Sequence, residues 1–279
     1  MKHKLIFILF LSFLISFSAC EKEKNKNNDL KNDFKDAALM HNKAMNEVLF
    51  ELQKNRHDSI NKLVAKTTKN FINNNSYFFL KQLNSKKLLN NEIIRVQSFR
   101  MKNTKSYYSN SKDNYLKTTI NKYKNSLSID QKRLLIKIAG IFDQYSDHKN
   151  IIKELKKVKD IDTKQLSSEE RHIIYAATTI GIESCKYWHK NIDRWALAIY
   201  GDNLKTHKKD SSWFDWGSVG ESDIAGAVGG AIGGATVGAV AGGAGAGPSA
   251  IIGGVSGGIG SSAQDAVNQL LAQKDETEN

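Results

Sequence analysis

The chain has 279 residues, 40% of them hydrophobic, and a formal net charge of +12, which suffices for one sizeable core or two small ones. Two cysteines exclude a disulfide framework. One proline, with only Gly140 and Gly181 between residues 20 and 201, argues against a turn-rich sheet protein.

At the N-terminus Lys2, His3 and Lys4 precede an apolar run over 5–17 and then Ser18, Ala19 and Cys20. A basic start, an apolar stretch of this length and small residues at its end form a secretory signal. Ser-Ala-Cys resembles a lipobox, with Phe17 where leucine is usual. The resemblance implies cleavage after residue 19 and acylation of Cys20, and so an anchor in the bacterial envelope, on the outer membrane. Acyl chains contribute about 0.8 kcal/mol per buried CH₂, so more than one hold firmly. Removing 1–19 takes away Lys2 and Lys4 and lowers the charge from +12 to +10. Residues 20–32 are charged, Asn-rich and nearly free of apolar groups, which predicts a flexible spacer.

Residues 33–204 read as an all-α body, an irregular helical bundle. Phe34, Ala37, Ala38, His41, Met45, Val48, Leu52, Leu63, Val64, Thr67 and Phe71 trace one face of a long first helix. Leu88, Leu89, Ile93, Val96 and Phe99 suggest a second, and Tyr115, Leu116, Thr119, Ile120 and Tyr123 a third. Capping-box patterns at Ser128–Gln131 and Ser167–Glu170 each open a further helix, the last running on to Tyr200 as a buried central element.

Candidate chemistry in the body is thin. Glu169 and His172 have the Glu-x-x-His spacing of di-iron bundles, but no second copy exists, so no metal site is expected. His189 and Asp193 sit one turn apart, which a helix-face hydrogen bond explains. Cys185 falls on the buried helix among Ala177, Ile182 and Trp188, a place for a small hydrophobe and not for a nucleophile. We expect no catalytic residues, no cofactor and no enzyme activity. Lysines and arginines are scattered among asparagines and acids, with no RNP, helix-turn-helix or zinc-finger pattern, so nucleic acid is not an expected partner.

Residues 205–223 read as a basic and aromatic linker, in which Trp213, Phe214 and Trp216 suit a headgroup boundary. Beyond it, Gly226, Gly230, Gly234, Gly238 and Gly242 recur every fourth residue and make one bare helical stripe. Ile224, Val228 and Ile232 keep the same spacing, offset by two positions, about 200° around the helix. Gly253 and Gly257, with Ile251, Val255 and Ile259, repeat the design after Pro248, where a helical hairpin would turn. Nine glycines over 224–246 would cost a solvated helix about 1 kcal/mol each, so the pattern demands close helix–helix packing. No charge occurs between Asp223 and Asp265, and a helix over 224–246 would be about 35 Å long, enough for a bilayer core. The predicted hairpin covers 224–272, with a charged tail over 273–279.

Residues 224–264 resemble the glycine-zipper, double-membrane-segment domain of small bacterial envelope lipoproteins. The resemblance implies a non-enzymatic, membrane-tethered lipoprotein whose hairpin inserts in or packs against a membrane, with membrane lipid as partner and self-association through the hairpin. Two other expectations stand beside it: a bacteriocin-like or pore-forming antagonistic factor, and an exported adaptor whose hairpin binds a protein that the sequence does not name.

Overall fold

The structure, a computed structural model, describes residues 32–54, 63, 66–67, 70–71, 115–201, 214–240 and 246–278. Cys20, the signal and the spacer lie outside these residues, as does the helix read from Leu88 to Phe99. The fold is all-α, and no strand occurs among the described residues. In chain order the helices are α1 (32–54), α2 (Tyr115–Lys122), α3 (Ile129–Gln144), α4 (His148–Asp160), α5 (Ser168–Tyr200), α6 (Trp216–Val240) and α7 (Ala246–Glu278).

Local sequence explains where the body helices begin. Ser128 Oγ accepts the Gln131 N–H while Gln131 Oε1 accepts the Ser128 N–H, so the capping box ahead of α3 is complete. Ser167 and Glu170 do the same for α5. Each box satisfies two backbone donors that a helix start leaves over, and such caps contribute about 1 kcal/mol. Asp147 caps α4 through the Asn150 N–H, and these backbone bonds hold its carboxyl below the usual range. Gly201 ends α5 at φ 62°, a backbone conformation that disfavours any side chain.

α5 is the centre of the molecule. Ile174, Ala176, Ala177, Ile180, Trp188 and Trp195 along it are all buried, and α3, α4, α6 and α7 pack around it. α1 joins the same core through Phe34, whose ring meets Tyr175 edge-on at 6.3 Å. One continuous apolar cluster runs from α1 through α5 into α6 and α7. The hairpin is therefore not an appendage that follows the bundle. It is part of the bundle's interior.

Both hairpin arms run longer than the sequence suggests. α6 starts at Trp216, inside the stretch read as linker, and α7 continues past Asp265 and residue 272 to Glu278. Acidic residues end a membrane segment, but they do not end a helix whose acids find partners inside a protein. Pro248 is not the turn itself: it lies in the first turn of α7, where no intrahelical N–H is needed.

Candidate functional site

The arms of the hairpin meet backbone to backbone. An added Cβ on Gly226 would stand 2.6 Å from the carbonyl carbon of Gly257, and one on Gly257 would stand 2.7 Å from that of Gly226. Gly230 and Gly253 form the next pair, at 2.6 and 2.7 Å. No real Cβ tolerates these distances from a backbone, so Gly226, Gly230, Gly253 and Gly257 form an antiparallel seam that only glycine permits. Gly234 lies one turn further along α6 and is buried; Gly238 is in α6 as well, and Gly242 lies outside the described residues.

The sides of the hairpin away from that seam are occupied by the body. Ile224 fits over Gly181 of α5, where an added Cβ would be 2.8 Å from Ile224 Cγ1. Gly220 receives the Phe142 ring of α3, and Gly258 lies against the His41 ring of α1. Ile224, Val228, Ile232, Ile251, Val255 and Ile259 are all buried. The bulky stripe that would face lipid faces protein instead.

Polar contacts lock this arrangement. His41 on α1, Ser184 on α5 and Asp223 on α6 are wholly buried. His41 Nε2 lies 3.1 Å from Asp223 Oδ1, and Ser184 Oγ donates to Asp223 Oδ2. Burial pulls the His41 imidazolium down, but the Asp223 carboxylate and its hydrogen bond outweigh that, so the pKa is raised above 6.5. The carboxylate stands between serine and histidine, so His41 cannot act as a base on Ser184. The trio is a lock and not a hydrolytic triad.

A second polar group lies where α2 meets the two arms. Tyr115 OH donates to Asp265 Oδ1, and Ser218 Oγ and Gln269 Nε2 donate to Oδ2. Glu221 Oε1 accepts the Leu116 N–H at the start of α2. Burial pushes the Glu221 carboxyl up to about 7 despite that hydrogen bond, and burial also raises Asp265. Elsewhere on the hairpin Trp188 Nε1 donates to Ser262 Oγ at 2.8 Å, and Tyr200 OH donates to the Leu270 carbonyl.

These groups fix the pH response. Glu221 binds its proton more tightly folded than unfolded, so its contribution to stability is fully present below 4.5 and is lost as pH rises through about 7. His41, also raised, extends the fall above 6.5; His148, which burial and the His189 charge hold low, opposes part of it. Raising Glu221 from 4.5 to about 7 corresponds to about 3 kcal/mol. Thermal unfolding should show a higher midpoint near pH 5 than near pH 8, and Glu221→Gln should shrink the difference, with Asp265 and His41 carrying the remainder.

The remaining sequence candidates are dispersed. Phe214 is not at a boundary with lipid: it is buried, 6.0 Å from the Trp188 ring, which itself packs on Trp195 at 4.9 Å. Trp216 is the first residue of α6, and Trp213 lies outside the described residues. Cys185 is buried, and burial drives its thiol to about 12, far from a reactive thiolate. His172 lies edge-on to the Phe34 ring at 6.2 Å, and Glu169 precedes it on α5. His189 stacks on His148 at 3.7 Å, with Asp193 exposed one turn on. Among the described residues no group of three or more His, Cys, Asp or Glu side chains could hold a metal ion.

Asp223 and Asp265 were visible in the sequence only as the limits of the uncharged block. His41 was legible as a polar residue on the apolar face of α1. Nothing local paired it with a residue 182 positions away. A scan of protein-family models and searches of curated proteins and solved structures gave no match to this chain.

Proposed function

We propose that this chain is a non-enzymatic bacterial envelope lipoprotein, attached to the outer membrane through acyl chains on Cys20, with the glycine hairpin as the spine of its own body. The observation that carries the reading is the enclosure of the hairpin, whose Ile224, Gly220 and Gly258 meet Gly181, Phe142 and His41. A hairpin so engaged gains from burial in protein what it would otherwise gain from lipid. Among the described residues no helix is long and apolar enough to cross a membrane. Membrane lipid thus enters as the partner of the anchor.

The test replaces residues 1–20 with an ordinary cleavable secretory signal. Under this reading the wild type incorporates labelled palmitate and fractionates with membranes, while the replaced chain is secreted as a free, folded protein. A replaced chain that stays in the membrane fraction would overturn the reading. That outcome would favour the antagonistic, pore-forming alternative, which has its own support in the hairpin stretch between Asp223 and Asp265, uncharged and packed against charged helices. Release of dye from loaded vesicles by the purified chain would then be expected.

A further inference from the structure

The layer formed by α3 and α4 combines a lysine stripe with exposed isoleucines on its outer side. α4 buries Ile151, Leu155 and Val158, which leaves Lys149, Lys153 and Lys156 exposed along the opposite stripe. The ion pairs of this layer, Lys137–Asp162, Lys157–Glu154 and Arg133–Asp130, use other cations. The same layer also shows large apolar side chains to solvent. Ile136 and Ile161 are 54% and 59% exposed and flank the Lys137–Asp162 pair, which ties α3 to the chain just beyond α4.

We propose that this α3–α4 layer is the face on which the body rests against a bilayer bearing anionic headgroups. Lysines suit such a surface, since the ammonium meets the headgroup while the aliphatic stem lies along the apolar boundary. The isoleucines select a bilayer over a soluble polyanion, because a glycan or nucleic acid offers them no hydrocarbon. The proposal rests on the anchoring of Cys20. A spacer over 20–32 reaches at most about 40 Å, so the tethered body stays beside the membrane, where weak contacts add up.

The test uses the whole mature chain secreted without acylation, so that the anchor contributes nothing. Its partition is measured on phosphatidylcholine vesicles with and without phosphatidylglycerol. Binding should require the anionic lipid. Lys149→Glu with Lys153→Glu and Lys156→Glu should weaken it by about a hundredfold, taking roughly fivefold per lysine. Lys35→Glu with Lys43→Glu and Lys54→Glu, equal in charge but on exposed positions of α1, should change it only a few-fold. Ile136→Ser with Ile161→Ser should weaken vesicle binding and leave heparin binding unchanged; these sites are exposed, so circular dichroism should match the parent. Equal losses in the two charge variants, or a heparin affinity that falls together with vesicle affinity in the isoleucine variant, would overturn the proposal. Failure of the anchor would show separately, as absence of palmitate label in the wild type.

Discussion

Gly253→Ala will destabilise the protein by about 3 kcal/mol or more, while Gly260→Ala, on the same helix, will stabilise it by about 1 kcal/mol. Both substitutions bring the same gain in helix propensity, about 1 kcal/mol in a helix interior. They differ in what the new methyl meets. At Gly253 it would stand 2.7 Å from the carbonyl carbon of Gly230, and backbone cannot give way as a flexible side chain can. The arms must separate, which disturbs the packing of their buried isoleucines and valines against the body. At Gly260 nothing lies within 4 Å. Urea unfolding of the two variants decides the matter: shifts of the same sign would mean that the seam does not hold the arms at the described distance.

Asp223→Ala will cost about 3–5 kcal/mol, because it leaves a buried histidine and a buried serine without their shared acceptor. Asp223→Asn keeps the shape and one acceptor, so it should cost less, about 1–2 kcal/mol. The pH response separates a charge lock from mere packing. With the carboxylate present, His41 is raised above 6.5, and its contribution to stability fades as pH climbs through the folded value. Without it, burial is opposed only by the hydrogen bonds with Asn42 and the Gly258 backbone, so the imidazolium is less favoured and the contribution that fades with rising pH shrinks. The slope of unfolding midpoint against pH near neutrality should therefore become more positive in Asp223→Ala than in the parent. An unchanged slope would mean that His41 does not sense Asp223.

Much of the local architecture was legible in the chain. Ser128 with Gln131, and Ser167 with Glu170, announced the starts of α3 and α5, since capping is a matter of four adjacent residues. The four-residue recurrence of Gly226, Gly230, Gly253 and Gly257 announced paired helices, since a bare stripe is tolerable only where another backbone covers it. Phe214 shows where such reading stops. An aromatic residue before an apolar block looks the same whether its ring enters a headgroup layer or packs on Trp188.

By itself, then, the sequence determined helices, their caps and two arms that must touch, because each of these depends on spacing along one segment. Only the tertiary structure decided what surrounds the arms. An uncharged face of isoleucine, valine and glycine is equally served by lipid or by protein, since burial depends on the apolar area removed from water and not on what removes it. Gly181, lying in another helix, makes room for Ile224, and His41, far along the chain, meets Asp223. Those distant partners turn a stretch that could have faced a bilayer into the interior of a bundle.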